Sequence, residues 1–551
     1  MILAKEAQPQ TNAENADEEK ALSGAARGHS LVQSRPIIRV FCVHLRFTFF
    51  LFNVVDSGLL PSLGKLRRDA DALLEPMRPS TKTRICAPCS KSSSLALDFE
   101  PAGRVECRAR MKSKSITVSP CRRLQGTLAV PGDKSISHRI AMLASLASGT
   151  STVRGFLRSE DCVTILEALS RLGAHYEFRG DELRITGTGG RLVRPGTVLD
   201  LGNSGTGIRL LAGLLAGQGF TCEMTGDASL RSRPMRRISE PLTRMGATVE
   251  LLGGNGCAPI RITGGSLHGI EYAPPVASAQ VKSCVMFAGL FAEGVTTVVE
   301  SSPTRDHTER LLAAMGIPVK VDGLRVSLKG YGAAGPVLTA RPWVVPGDIS
   351  SAAFWITAAA CGEGHAVELP NVGWNPRRNA LVAVLQRMGA AITFHENGDA
   401  AACETMGTIR VEGRRLQGTE VGGAEIPDLI DELPLVAVAG ALAQGRTVIR
   451  DAAELRVKES DRIRSVVDNL TRMGVRVEER PDGMIIEGGS AIRGGVTVDS
   501  YGDHRLPMAM SVLAMRADAP VRMEDIACVN KSYPEFWDHL RILTGPQGAL
   551  P

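Results

Sequence analysis

Apolar positions along this chain follow two periods that alternate in a fixed order. Five segments carry apolar residues at helical spacing and end on Leu-x-x-(Leu/Met)-Gly: Leu169 to Gly173, Leu242 to Gly246, Leu312 to Gly316, Leu385 to Gly389 and Leu470 to Gly474. The copies recur every 70 to 85 residues. Each glycine stands where a helix ends in the left-handed conformation that glycine adopts without a Cβ penalty. A two-residue alternation follows, as in His175-Tyr176-Glu177-Phe178 and then Leu183-Arg184-Ile185-Thr186, which predicts a hairpin. A less distinct sixth helix is expected near Glu535 to Leu543. A period this long, with helix and sheet in every unit, predicts a repeated α/β architecture rather than one doubly wound sheet.

A second repeat organises the first. Val130-Pro131-Gly132-Asp133 returns as Val345-Pro346-Gly347-Asp348, and each copy precedes a Ser-containing helix start. Three of the long repeats lie between the two copies. The pair therefore predicts two chain crossings between two lobes. Residues 134–345 would form one continuous lobe, here lobe II. Residues 114–133 together with 346–551 would form the discontinuous lobe I. Asp133 and Asp348 are the expected hinge points for closure on a ligand.

Residues 1–113 lack this pattern and are expected to form an unstructured extension. Five of the chain's 14 Phe fall in one apolar stretch of this segment, between Phe41 and Phe52. Arg39, His44 and Arg46 interrupt that apolar stretch, which makes a membrane span expensive. The acidic run Glu14 to Glu19 does not suit a transit peptide. Met111 is a candidate start, with the upstream stretch read in the wrong frame. An organelle-targeting leader and a weak membrane-surface segment are the alternatives.

The 551 residues, 44% hydrophobic and 22% charged, are ordinary for a globular protein and long enough for several cores. Aromatics make up only 4%, so Leu, Val, Ile, Ala and Met must build the core. The net charge of +6 is modest, and no basic stripe interleaved with aromatics points to nucleic acid. The 12 Cys include one CxxC pair, Cys86 and Cys89, without a second pair at zinc spacing, so free thiols in a reducing compartment are expected.

Charge placement supplies the candidate chemistry. Lys134 and Arg139 fall at the start of the helix that follows Gly132-Asp133. Similar cations recur at Asn203 to Arg209, at Lys458 to Arg462 and at Asp503-His504-Arg505. Cations at a helix start oppose the positive pole of the macrodipole. Free backbone N–H groups also point outward there, so an anion would satisfy both. Four such places in one chain point to ligands with several negative charges.

Nine segments in fixed order resemble the 5-enolpyruvylshikimate-3-phosphate synthase (3-phosphoshikimate 1-carboxyvinyltransferase) family: PGDKSISHR (131–139), LGNSGTGIR (201–209), SLRSRPM (229–235), SAQVKS (278–283), TRDHTE (304–309), IDELP (430–434), RVKESDR (456–462), DHR (503–505) and NKSYPEFW (530–537). The resemblance implies an α/β fold of two lobes, each of three βαβαββ units arranged as an inside-out α/β barrel. It implies transfer of the enolpyruvyl group of phosphoenolpyruvate to the 5-hydroxyl of shikimate 3-phosphate with release of phosphate. It also implies no metal or organic cofactor, no nucleic acid, no membrane, and a monomer in the cytoplasm. Lys134, Arg233, Arg462, Arg505 and Lys531 would hold phosphoenolpyruvate. Ser135, Arg139, Ser278, Ala279, Arg305 and Lys458 would hold the phosphorylated acceptor, with Gln280 and Gly205 between the two. Asp431 would deprotonate the hydroxyl, Glu459 would move the proton at the methylene carbon, and Lys134 would assist. The resemblance is to the branch usually called class II, whose members often carry Ala where this chain has Gly205. That glycine implies sensitivity to glyphosate, which competes with phosphoenolpyruvate.

Each residue also has a plainer reading. Asp431-Glu432 suits a helix start on dipole grounds alone. Lys458 to Arg462 suits a solvated charged face. Gly205 and Arg233-Pro234 suit turns, and His504 reads as a satisfied structural histidine. The related UDP-N-acetylglucosamine enolpyruvyl transferases use a Cys at the position of Ala228, which argues against that family. A scaffold protein that kept the fold and lost the chemistry would not need the intact Asp431, Glu459 and basic set.

Overall fold

The computed structural model describes residues 115–399, 401–545 and 549–550, which fall within one compact unit, Pro101–Pro551. The expectations for residues 1–113, for Met111 and for Cys86 and Cys89 lie outside the described residues.

Six units repeat, each with two principal helices. Lobe II carries α1 (Lys134–Leu146), α2 (Glu160–Arg171), α3 (Gly205–Ala216), α4 (Arg236–Met245), α5 (Ala279–Gly289) and α6 (His307–Ala314). Lobe I carries α7 (Ile349–Ala360), α8 (Ala380–Arg387), α9 (Leu433–Leu442), α10 (Arg462–Arg472), α11 (Arg505–Ala514) and α12 (Phe536–Thr544). The second unit shows the common plan. Its strands are Leu199–Asp200, Thr221–Thr225, Thr248–Leu251 and Ile260–Thr263. They lie in the order first, second, fourth, third; the first pair is parallel and the others antiparallel. The glycines that close the five sequence copies have φ between +78° and +112°, the left-handed ends read from the sequence. The expected hairpin is His175–Arg179 paired antiparallel with Glu182–Thr186.

The repeats are stitched by exchange of strands. Gln125–Thr127, just before the first crossing, pairs with Ala366–Gly373 in lobe I, while the helix after that crossing, α1, belongs to lobe II. Pro342–Val344, just before the second crossing, pairs with Thr150–Arg154 in lobe II, while α7 belongs to lobe I. The sixth sheet is completed by Ser115–Val118 against Val521–Glu524. At each crossing one lobe keeps the strand and the other takes the helix.

The two VPGD turns lie side by side. Gly132 and Gly347 form an antiparallel bridge, Asp133 N–H donates to Pro346 O at 2.9 Å, and Asp348 N–H donates to Pro131 O at 2.8 Å. A Cβ on Gly132 would stand 1.8 Å from Gly155 O, so only glycine fits there.

Each lobe buries its own apolar core. The lobe II core runs from Ile136 to Val345; that of lobe I draws on Val118 to Val130 and Ile349 to Leu550. The first helix of each unit lies inside. α9, for example, buries every residue from Leu433 to Ala441. A helix apolar all round belongs in an interior. The second helix of each unit covers the outside; α10 buries Ile463, Val466, Val467 and Leu470 and leaves Arg464 exposed. This arrangement decides where the site lies, because the starts of all six inner helices face one cleft.

Candidate active site

The cleft contains a cavity of about 350 Å³ lined from both lobes. Residues at or just before the starts of the six inner helices border it: Lys134 and Ser135 at α1, Thr206 at α3, Ser278 to Gln280 at α5, Asp348 at α7, Asp431 at α9, and His504 and Arg505 at α11. None of these helices has an acidic residue in its first turn. Six positive helix poles therefore converge on one space, which suits a polyanion.

Most of the residues named from the sequence meet here. Lys134, Ser135, Arg233, Ser278, Ala279, Gln280, Arg305, Asp431, Lys458, Glu459, Arg462 and Arg505 all line the cavity. Three do not. Arg139 lies buried beneath it, donating to Thr308 Oγ1 at 2.8 Å, Ser283 Oγ at 2.8 Å and Ser135 O at 3.0 Å. Its fork is spent on protein acceptors, and it holds Ser135 in place from below. Gly205 packs behind the arginines: an added Cβ would meet Arg233 Nη1 at 2.9 Å and Arg209 Nη1 at 3.2 Å. Lys531 stands off the wall, with its Nζ 3.4 Å from Gly502 O.

The cations are not waiting bare for ligands, contrary to what their helix positions suggested. Arg462 is 1% exposed. Its Nε donates to Asp503 Oδ2 at 2.7 Å, Nη2 to Glu459 Oε2 at 2.6 Å and Nη1 to Asp431 Oδ1 at 3.3 Å. Lys134 Nζ donates to Asp161 Oδ2 at 3.1 Å. Two of the pairs cross the cleft: Arg305 Nη2 with Asp431 Oδ2 at 2.5 Å, and Arg233 Nη1 with Glu459 Oε1 at 3.6 Å. Carboxylates of lobe I thus occupy arginines of lobe II. A third cross-cleft pair, Arg237 with Glu454 at 3.1 Å, lies at the same cavity.

These contacts set the acid–base character. Burial pushes the Asp431 carboxyl up, but Arg305, Arg505, Arg462 and Lys458 together outweigh it and hold it well below the usual carboxylate range. Burial also opposes ionisation of Glu459, and Arg462 and Arg233 outweigh it and hold the carboxyl well below its ordinary value. Burial lowers Lys458 despite Asp431 and Glu454 nearby. Lys134 is raised: burial works against the charged form, and Asp161 and Glu459 outweigh it. His504 is kept neutral by burial and by Lys134, and among the described residues its Nδ1 has no hydrogen-bond partner. It lines the cavity, so the satisfied structural histidine expected from sequence is not what the structure shows.

A stability consequence follows from the two depressed carboxyls. A carboxyl whose pKa is lower folded than unfolded stabilises the fold above its unfolded value, near 4, and loses that contribution as pH falls toward the folded value. The ligand-free protein should therefore lose thermal stability below about pH 4, and Asp431→Asn or Glu459→Gln should flatten that acid limb. Melting temperatures measured from pH 6 to pH 3 check this; superimposable limbs would contradict it.

The sequence did not single out Thr206, Arg209, Arg237, Arg378 or Glu454 as site residues, yet all line the cavity. Arg209 donates to Gln280 Oε1 at 2.7 Å, and Gln280 Nε2 donates to Thr206 Oγ1 at 3.0 Å. Arg209 stands among the helix-start cations of the sequence, and that is the available signal. Arg378 had none. Among the described residues no cluster of three or more His, Cys, Asp and Glu is placed to hold a metal ion, and no helix is long and apolar enough to cross a membrane.

Residues 118–540 match the family model for EPSP synthase (3-phosphoshikimate 1-carboxyvinyltransferase). The chain belongs to the EPSP synthase family. A 3-phosphoshikimate 1-carboxyvinyltransferase of Akkermansia muciniphila is 49% identical over 423 residues, which is 75% of this chain and 96% of that protein. The Bacillus subtilis protein of the same name is 44% identical over 422 residues, 76% of this chain and 97% of its own. A solved EPSP synthase from Acinetobacter baumannii superimposes with a TM-score of 0.70 at 42% identity, covering 79% of this chain and 98% of that one. As in the EPSP synthase fold, the two lobes here are built of βαβαββ units, and the UDP-N-acetylglucosamine transferase alternative is set aside.

Proposed function

We propose that this chain transfers the enolpyruvyl group of phosphoenolpyruvate to the 5-hydroxyl of shikimate 3-phosphate and releases phosphate, at the cavity between residues 134–345 and the segments 114–133 and 346–551. The observation that carries this reading is the convergence of Lys134, Arg233, Arg462 and Arg505 on one space with Asp431 and Glu459 among them. Each substrate brings a phosphate and a carboxylate, and guanidinium forks match such groups bidentately. Lys134, Arg233, Arg462 and Arg505 hold phosphoenolpyruvate, with Lys531 approaching from its side. Ser135, Ser278, Ala279, Gln280, Arg305 and Lys458 hold the acceptor, and Arg139 supports Ser135 from beneath.

The reaction needs a base for the acceptor hydroxyl, a proton delivered to the methylene carbon, and its removal as phosphate leaves. Asp431 takes the hydroxyl proton, Glu459 serves the methylene carbon, and Lys134 stabilises charge nearby. While Arg305, Arg233 and Arg462 pair with them, both carboxylates are weak bases. Substrate anions compete for the same forks. As phosphate and carboxylate groups draw Arg305 and Arg233 away, Asp431 and Glu459 lose counter-charge and become more basic. Basicity is thereby tied to occupancy.

The deciding experiment mixes pure protein with both substrates and follows phosphate. Release that requires both substrates supports the reading; tight binding of both without release supports a scaffold instead. A monomer is the working form in this reading, to be checked by sedimentation. The free cysteines among the described residues support a reducing compartment such as the cytoplasm.

Gly205 gives a sharper test. A methyl there presses on the guanidinium of Arg233, which must give way by a few tenths of an ångström. Gly205→Ala is expected to raise KM for phosphoenolpyruvate several-fold and to reduce inhibition by glyphosate further. A wild type that resists high glyphosate, with the variant behaving the same, would contradict this.

A further inference from the structure

The two chain crossings are held by one side chain that no motif pointed to. Arg378 follows the strand Ala366–Gly373 and precedes α8 in lobe I; it is 3% exposed. Its Nη1 donates to Asp133 Oδ2 at 3.2 Å, and its Nη2 donates to Asp348 Oδ1 at 3.2 Å. One fork therefore grips the last residue of each VPGD turn. Nη2 also donates to Ser350 Oγ at 2.7 Å, and Nη1 lies 3.2 Å from His307 Nε2 at the start of α6. Arg378 thus touches both crossings, one helix start in lobe I and one in lobe II.

The gripped aspartates are the caps of the helices that leave the crossings. Asp133 Oδ1 accepts from Ile136 N–H at 2.9 Å in α1, and Asp348 Oδ1 accepts from Ser350 N–H at 2.8 Å in α7. Asp348 Oδ2 further accepts from the backbone N–H of Lys134 at 3.4 Å. On the other side Ser350 Oγ donates to Glu432 Oε1, which also accepts from Arg505 Nη1 at 3.4 Å. Through these bonds the fork reaches Lys134 in one direction and the Asp431-Glu432 segment in the other. Behind it, His307 Nε2 accepts from Arg378, so Nδ1 carries the proton and donates to Glu404 Oε1. Asn375 Nδ2 closes the network by donating to Glu404 Oε2 at 2.8 Å and Asp306 Oδ1 at 2.7 Å.

We propose that Arg378 is a positioning residue for the transfer reaction: by holding Asp133 and Asp348 on one guanidinium it fixes the angle at which the two lobes close, and so sets Lys134 opposite Asp431. This rests on the function proposed above. Without the guanidinium the two aspartates face each other as buried like charges. Arg139, Arg305 and His307 stand near Asp133 from lobe II, the backbone N–H of Lys134 reaches Asp348, Arg505 and Tyr533 stand near Asp348 from lobe I, and Glu432 and Asp431 stand near the guanidinium itself. None of these bonds to both. The pair would relieve its repulsion by keeping one proton or by letting the crossings part.

The test compares wild type, Arg378→Gln, Arg378→Lys and the double variant Arg378→Gln with Asp348→Asn. Phosphate release is followed from pH 5.5 to pH 9 with each substrate varied. Both substrates bind across the cleft, so a smaller closed fraction should raise both KM values by a similar factor, about tenfold or more for Arg378→Gln. Burial and Asp133 already raise Asp348 to about 6 in the wild type against the pull of Arg378, so without the guanidinium it should rise further and kcat/KM should fall with rising pH at a higher pH than in wild type. The double variant removes one of the facing charges and should lose the displaced pH limb and regain part of the lost kcat/KM. Arg378→Lys keeps a charge without the fork and should show raised KM values without that shift in the pH profile, which preserves the test if the Gln variant does not fold. Lowered melting temperature with unchanged KM values and pH profile, or a double variant no better than the single, would overturn the proposal. Absence of phosphate release from wild type would instead overturn the assigned reaction and leave the hinge to be judged from scattering measurements of closure on shikimate 3-phosphate.

Discussion

Arg462→Ala is expected to lower kcat/KM for phosphoenolpyruvate by about 10² to 10⁴ and to lower the melting temperature as well. The size comes from what the guanidinium does. It is the shared partner of Asp503, Glu459 and Asp431, with all three of its nitrogens bonded. Removing one member of a buried ion pair leaves uncompensated charge and costs about 3–5 kcal/mol. A charge-assisted bond lost to substrate costs about 1.5–3 kcal/mol, and each 1.36 kcal/mol is about tenfold in rate. Both losses act here. Three carboxylates are left facing one another around a site that must accept a phosphate and a carboxylate, so repulsion adds to the missing contact. Arg462→Lys should recover part of the stability and little of the affinity, because an ammonium cannot reproduce three directed bonds. Steady-state kinetics with phosphoenolpyruvate varied, alongside thermal unfolding, separate the two effects. A kinetic profile within twofold of wild type would remove Arg462 from the binding site.

That expectation marks where the sequence was legible and where it was not. The helix ends at Gly173, Gly246, Gly316, Gly389 and Gly474 were readable because the left-handed conformation restricts which residue can stand there. The crossings were readable because Gly132 has no room for a side chain. Such signals are local. The strand exchange that seats Gln125–Thr127 in one lobe and α1 in the other left no local trace. Nor did the counter-charges. Lys134 and Arg462 read as cations needing an external anion, yet Asp161 and Asp503 already serve them, the first from 27 residues away and the second from 41. Arg378 is the extreme case, since its partner Asp133 lies 245 residues distant. Arg139 was placed among the acceptor's ligands on resemblance, and only its packing against Thr308 and Ser283 shows that its fork is fully occupied inside the protein.

The same internal pairing explains why the removal of Asp431 should act in the opposite sense to that of Arg462. Asp431→Asn keeps the shape of the side chain and removes its charge. The carboxylate now shares Arg305, Arg462 and Arg505. Without it those cations have one fewer protein partner, and substrate anions no longer displace a charged competitor. KM for both substrates should therefore stay level or fall. Turnover should not survive so well, because the amide cannot accept the hydroxyl proton. General-base assistance is worth about 10² to 10⁴, and kcat should drop by that factor. Raising the pH should not restore it, since an amide has no ionisation to recover. In the wild type, by contrast, Asp431 is already ionised across the neutral range. Its basicity should depend on whether the arginines are engaged by substrate rather than on bulk pH. Initial rates with each substrate varied, for Asp431→Asn and wild type, give the split. A variant that keeps kcat within threefold while KM rises would make Asp431 a group that orders the arginines, and the hydroxyl proton would then have to go elsewhere, with Lys458, which acts on Asp431 and whose pKa burial has lowered, the candidate.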